Sequence, residues 1–314
     1  MAHPFAREGL LGSNRMKQVG SWLFRLSIII GISFVILSPI ISLISRSLMP
    51  LEEYYSPLVY VVPMHVTLEH FQMAIQHLGY WDSLVETLVT CVVLTLLQLM
   101  VCSLVGYGFA RYRLPMGGLM FGLVVLTIVI PSQALLIPTY MQFLYFDPLG
   151  LCTLFTGHSI SLINTPWPQL LMTALGMGLN AGLYIYIFRQ FFRGMPAALE
   201  EAAWIDGAGP FKTFFRIMLP NATPAMIIVT LFSVVWQYND TFFAGLFSTS
   251  DSMLACRLSS LQSVLVNIAN IRDVNLLDSI IKTGVLLVIL PLVILYIFLQ
   301  RFFMEGIERS GIVG

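Results

Sequence analysis

The stretch Thr87–Ala110, TLVTCVVLTLLQLMVCSLVGYGFA, contains no charged residue and is closed by Glu86 on one side and Arg111 on the other. A helix of about 20 apolar residues crosses the hydrocarbon core of a bilayer, and this run is long enough to do so. Comparable charge-free runs lie at Leu26–Ile44, Leu114–Phe146, Pro148–Phe188, Ile217–Asn239 and Thr283–Gln300. The chain is 57% hydrophobic and 10% charged, where a soluble protein carries about 25% charged residues. Such a composition excludes a water-soluble globule. It predicts an all-α polytopic membrane protein with one span in each run, six in all. The run at 148–188 is too long for one span. Its helix is expected at Trp167–Phe191, preceded by an external or interfacial segment at 149–168.

Lysine and arginine gather on the cytoplasmic side of membrane proteins, which orients the six spans. Arg7, Arg15 and Lys17 precede the first, and Arg111 and Arg113 separate the second from the third. Arg189, Arg193, Lys212 and Arg216 lie between the fourth and fifth, and Arg301 and Arg309 follow the sixth. These are eleven of the sixteen basic residues, and six spans put them all on one side. The other side holds Glu52, Glu53, Glu69, Asp82, Asp147, Asp251, Asp273 and Asp278, with Arg46, Arg257, Arg272 and Lys282 among them. Both termini are thus expected in the cytoplasm, with a cytoplasmic N-terminal segment at 1–20, a permease domain at 21–314 and an external loop at 46–83. A cleaved signal peptide is the alternative for the first run, but its apolar part is too long and no clean cleavage site follows.

Several chemistries find little support. Net charge is zero, so nothing points to nucleic acid. Cys91 and Cys102 read as packing residues, while Cys152 and Cys256 fall on the external side and could pair. His65, His70 and His77 in the external loop could suggest metal, but Thr67–Ile75 reads instead as a short helix capped by Thr67, with Leu68, Phe71 and Ile75 at helical spacing. No metal-ligand spacing appears.

The one long polar connection, 193–221, is patterned as two short helices. Pro196 suits a first helical turn, Ala197–Ile205 are mostly good helix formers, and Gly207 offers a C-terminal stop. Gly209-Pro210 opens a second helix that Pro220 closes. On it Phe211, Phe214, Phe215 and Met218 share a face at i, i+3, i+4, i+7, with Lys212 and Arg216 on another. The aromatic face is expected to pack on the span ends or the lipid boundary, leaving the small acidic helix to water or a partner. Periodicity alone also fits a plain interfacial hairpin.

The residues of this loop also resemble a known pattern. Glu201-Ala202-Ala203, Gly207 and Ile217-x-Leu219-Pro220 match the cytoplasmic loop of binding-protein-dependent ABC importer permeases, and Ile205-Asp206-Gly207-Ala208 with Pro224 match its carbohydrate (maltose-type) version. Tyr107-x-Phe109-Ala110-Arg111, Pro131, Pro138-x-Tyr140, Phe188–Phe192 before Pro196, Trp236-x-Tyr238-Asn239-Asp240 and Gln300–Ile307 follow the shorter membrane subunit of that family in order. Two departures stand out: Glu86-Thr87 replaces an Asn-Ser or Asn-Thr, and Ser310–Gly314 lacks the family's lysine, which puts a role for the tail in doubt.

The resemblance implies a type I ABC importer permease fold in the bacterial cell (inner) membrane. It implies that the first short helix is a coupling helix, with Glu200, Glu201, Ala202, Ala203, Asp206, Gly207 and Ala208 meeting a separate ATPase. Phe211, Phe214, Phe215, Ile217, Leu219 and Pro220 would pack the loop. The implied partners are a second homologous permease, two ATPase subunits, an extracytoplasmic solute-binding protein and a carbohydrate substrate. ATP and Mg would be used by the partner ATPase and no cofactor bound by this chain, which has no G-x-x-x-x-G-K-[ST] phosphate loop and no visible catalytic constellation. A non-sugar cargo is the first alternative. A secondary transporter is the second, disfavoured because no charged residue falls at mid-membrane depth. Gln98, Gln133, Asn164 and Asn180 could bind sugar hydroxyls, and Tyr140, Tyr184 or Tyr186 could offer a ring. Tyr140, Asn180, Tyr184 and Asn239 are the expected substrate path, though helix packing accounts for such residues equally well.

Overall fold

Three of the long apolar runs become long helices, and the others are broken. The computed structural model describes residues 6–56, 62–247 and 252–311, with the side chains of 6–19, 156, 299 and 301–311 outside that description. Among the described residues the only extended pairing is an isolated bridge between Phe146 and Ile160. Two compact units are distinguished: one comprises the chain up to Ala74 with Arg272–Leu286, the other Ile75–Ile271 with Leu287–Gly314.

In the first unit, α1 (Ala6–Leu48) runs back well before the expected span and contains Pro39. A proline leaves the carbonyl four residues earlier without its helical donor. That carbonyl, Val35 O, accepts a hydrogen bond from Ser38 Oγ at 3.2 Å. The short α2 (Leu51–Tyr54) follows, then α3 (Glu69–Leu78). His70 Nε2 lies 3.0 Å from the Met49 carbonyl, and Glu53 accepts the backbone N–H groups of Met64 and His65. Asp273 accepts from Tyr55 at 2.6 Å, and Asp278 pairs with Lys282 at 2.6 Å. His65 and His70 are thus engaged with protein groups.

The second unit is built on α4 (Tyr80–Arg111). Next come α5 (Gly117–Val129), α6 (Leu136–Leu144) and α7 (Leu151–Thr156). The expected third span is therefore broken. The segments Gly117–Val129 and Ser132–Leu144 meet at 101°, because Pro131 has no N–H and drives Ile130 to extended φ −71, ψ 121. The helix expected at Trp167–Phe191 is interrupted too. It consists of α8 (Trp167–Ala174) and α9 (Ala181–Gly194), parted where Gly176 and Asn180 take φ +74 and +57. The bonds Met177 N–H to Met172 O and Gly176 N–H to Thr173 O close α8 as a Schellman motif.

After α10 (Ala198–Ile205) and α11 (Pro210–Thr213) comes a π-helical turn at Phe214–Met218, then α12 (Leu219–Asn221) and α13 (Thr223–Tyr238). Pro210–Asn221 and Thr223–Tyr238 are bent by 77°. α14 (Phe242–Phe247), α15 (Leu254–Asn267) and α16 (Val274–Gly311) complete the chain. Among the described residues three helices, at Gly20–Leu48, Tyr80–Arg111 and Val274–Phe298, are long and apolar enough to cross a membrane, or up to five if each bent pair is one span.

Packing around α4 needs small residues. A Cβ on Gly106 would lie 2.7 Å from Phe188 Cβ and 3.1 Å from the Ile185 carbonyl, so its absence lets α4 and α9 approach. In α16, Pro291 orphans the Leu287 carbonyl. Tyr80 Oη donates to it at 3.1 Å, and Tyr238 Oη to the Val288 carbonyl at 2.8 Å. Cys91 and Cys102 are buried, as their apolar setting suggested. Cys256 turns its thiol to the Thr241 carbonyl at 4.0 Å rather than to Cys152.

Candidate functional site

The loop 193–221 folds as a hairpin whose two adjacent glutamates point opposite ways. α10 opens at Ala197 and ends at Gly207, whose φ of +75 suits glycine. Gly207 N–H bonds to Trp204 O at 3.0 Å and Ala208 N–H to Ala203 O at 2.9 Å, a Schellman motif. Glu200 and Ala203, three apart, are buried at 5% and 3% exposure. Glu201, Ala202, Asp206 and Gly207 are exposed and Ala208 is half-buried. Trp204 and Ile205 are exposed as well, the latter at 86%.

Glu200 faces the C-terminal end of α4. Its Oε1 accepts a 2.6 Å hydrogen bond from Tyr107 Oη. Its Oε2 lies 3.1 Å from Arg111 Nε, an ion pair in which that N–H is off the hydrogen-bond axis. Arg111 Nη2 donates to the Met195 carbonyl at 2.6 Å. Tyr107 and Arg111, four apart on one helix, thus hold both ends of the short connection between α9 and α10. The Tyr107 ring packs against Phe192, Phe214 and Tyr112. The pairing joins residues distant in sequence; the i, i+4 spacing of a hydroxyl and a guanidinium was its only linear signal.

The second half of the hairpin departs from the expected single aromatic face. Phe214 and Met218 are buried, whereas Phe211 and Phe215 are 70% and 44% exposed. The π turn is the reason: widening the helix changes the angle between successive residues, so i, i+3, i+4 no longer share a side. Ile217 and Leu219 are half-buried and Pro220 is exposed.

Midway along α4 a second buried polar group is neutral. Gln98, 1% exposed, donates through Nε2 to the Leu179 carbonyl at 2.5 Å, and its Oε1 accepts from Ser233 at 2.9 Å and Gln237 at 3.4 Å. Thr95 Oγ1 is 3.0 Å from Ser233 Oγ. Gln98 is therefore helix glue between α4, α13 and the break before α9, not an open sugar contact. Of the expected path residues, Tyr184 is fully buried in the α4–α9 core and lines no open route in this conformation. Asn180 caps α9 with left-handed backbone, Tyr140 is half-buried, and Asn239 is exposed with its amide on the Val235 carbonyl. A small, half-open hollow lies against Leu94, Gln169, Met172, Thr173, Gly178, Leu179, Gln237, Asp240 and Phe243, and Asp240 caps α14 through the N–H groups of Phe242, Phe243 and Ala244. The C-terminal residues 312–314 lie outside the described residues.

Comparison with known proteins places this geometry. The sequence profile of the binding-protein-dependent transport system inner membrane component matches residues 98–309. A probable ABC transporter permease protein of Pyrococcus horikoshii is 29% identical over 69% of this chain and 73% of its own length. The arabinooligosaccharides transport system permease protein of Halalkalibacterium halodurans is 27% identical over 94% of this chain and 97% of its own. Among solved structures, a chain in the crystal structure of a bacterial ABC transporter involved in the import of the acidic polysaccharide alginate superposes with a TM-score of 0.70. It is 19% identical, and the match covers 93% of this chain and 98% of that one.

Proposed function

The chain belongs to the inner membrane components of binding-protein-dependent transport systems, a family of multi-pass ABC permeases, and on that premise we propose that it is a permease subunit for uptake of a sugar or oligosaccharide. It works with a second, homologous permease, two ATPase subunits that consume ATP and Mg, and an external solute-binding protein. Six spans cross the membrane with both termini inside, α8 and α9 together making the interrupted fourth.

The observation that carries the reading is the outer face of α10. Glu201 and Ala202 are exposed beside the uncovered Trp204 and Ile205, on a rigidly terminated helix. Exposed aromatic and aliphatic groups beside the acids Glu201 and Asp206 suit a docking groove with a basic residue, where the charge sets register more than affinity. The test is purification of the membrane complex. The intact chain is expected to bring down a nucleotide-hydrolysing subunit, and Glu201→Lys to weaken that association and uncouple uptake. Normal association and transport by the mutant would remove Glu201 from the contact.

The cargo reading leans on the named oligosaccharide function of the Halalkalibacterium relative. Thermal-shift screening of the cognate binding protein should find glycans that stabilise it. A protein that ignores glycans and responds to peptides would overturn this part alone.

A further inference from the structure

Two glutamates adjacent in sequence have opposite surroundings, and the inward one is the more heavily bonded. Glu200 and Arg111 have side chains only 6% and 14% exposed, and a buried ion of either sign is strongly disfavoured without its partner. Three contacts converge here: Tyr107 to Glu200, Arg111 to Glu200 and Arg111 to the Met195 carbonyl. They join the last turn of α4 to the first turn of α10 and to the residue between α9 and α10. Arg111 lies at a helix C-terminus and Glu200 in a helix N-terminal turn, so each charge also meets the favourable end of its own helix dipole. Phe192 and Phe214 wall the group off with the Tyr107 ring.

We propose that Tyr107, Arg111 and Glu200 form a clasp that makes α10 and the long helix α4 move as one lever, so that Glu201 receives the motor's displacement and Glu200 passes it on. Glu200 is on this account a positioning residue that never touches the ATPase. The inference rests on the proposed docking of α10, and it assigns the transmitting contact within this chain. The build of α4 suits a lever, since it is 32 residues long, packs on α8, α9, α13 and α15, and carries the Gln98 group at its middle.

The experiment uses the whole complex in liposomes, with bimane attached at Leu96→Cys on the exposed side of α4 in a Cys152→Ser background, the other cysteines being buried. ATP–Mg followed by vanadate drives the cycle, and bimane emission reports whether α4 moves. Amounts of bound ATPase are measured on the same samples. In the otherwise unaltered chain the emission should shift on trapping. Glu200→Gln should keep the ATPase bound yet shrink the shift at least fivefold, roughly the lower range of measured site-to-site couplings. Tyr107→Phe, which removes one hydroxyl and spares the fold, should shrink it less. The exchange Glu200→Arg with Arg111→Glu should restore part of what either single change removes. An undiminished shift in Glu200→Gln and Tyr107→Phe, or no shift in the unaltered chain, overturns the clasp. Loss of ATPase binding in Glu200→Gln overturns it too, since Glu200 would then be a docking residue. If the unaltered chain binds no ATPase at all, the docking of α10 has failed and the clasp goes with it.

Discussion

The inner hairpin and the middle of α4 both bury polar side chains, but they do so with different chemistry. The middle uses only neutral groups, Thr95, Gln98, Ser233 and Gln237, each satisfied by a neighbour. The hairpin buries a full ion pair, Glu200 with Arg111, and leaves Trp204, Ile205 and Phe211 exposed. In hydrocarbon an unpaired charge has no water to fall back on, so amides and hydroxyls are the workable glue there. At the membrane edge a charged pair is tolerable and stiffer. The middle of α4 is thus fixed by neutral contacts alone, while the hairpin joins one fixed charged face to one open apolar face.

Removing one charge of the hairpin pair should have the largest effect. Glu200→Ala leaves Arg111 buried with only the Met195 carbonyl, and breaking a buried pair costs about 3 kcal/mol or more. Unfolding in mixed micelles should show the loss. A change below about 1 kcal/mol, the usual limit for exposed pairs, would mean that water reaches the pair and that the hairpin is no stiffer than a surface contact. Gln98→Leu makes the matching test at mid-span. It strips the partner from the Leu179 carbonyl and from Ser233, each an orphan worth about 1–3 kcal/mol when buried. Rearrangement among Thr95, Ser233 and Gln237 offsets part of this, so the expected loss is about 2 kcal/mol. A loss equal to that of Glu200→Ala would erase the distinction between the two regions.

Much of this division was legible in the linear chain, and the exceptions have physical causes. Charge-free runs marked α1, α4 and α16 because length and apolarity suffice for a straight span. They did not mark the breaks at Pro131 and Leu175–Asn180, where apolar composition continues while backbone angles change. Gly176 and Asn180 adopt positive φ, and an asparagine in an apolar run announces a cap no more loudly than a packed amide does. In the hairpin, Glu200 and Glu201 were both expected to meet the ATPase. Only the phase of α10, set by where Ala203 must bury, separates the clasp from the handle. The π turn was illegible for the reverse reason: Phe211, Phe214, Phe215 and Met218 fit an α-helical face, and the structure uses the extra residue to widen the turn.

The hairpin's rigidity has a further check in its turn. A Cβ on Gly207 meets nothing within 4 Å, so Gly207→Ala tests backbone strain alone. The left-handed conformation costs an L-residue about 1 kcal/mol. The complex should lose that much stability, and α10 should exchange its amide hydrogens faster near Ala208. Unchanged exchange would show that the Schellman closure is not what fixes the helix.

Asp273 supplies the weakest case and so the baseline for both regions. It is a half-buried carboxylate near the surface, held below the ordinary carboxylate range by the Tyr55 hydroxyl at 2.6 Å and then by the backbone N–H groups of Leu276 and Asn275. A depressed carboxylate contributes stability that is complete above its unfolded pKa of about 3.9 and fades as pH falls through the lower folded value. Acidification below about pH 4 should therefore loosen the start of α16 slightly, and Tyr55→Phe should reduce that acid sensitivity while leaving neutral-pH stability nearly unchanged. Solvent screens an exposed pair of this kind, so its effect should fall well short of either buried group. If instead Tyr55→Phe destabilised the chain at neutral pH as much as Gln98→Leu does, burial would not be what separates strong polar contacts from weak ones here. The contrast between hairpin and mid-span would then need another cause.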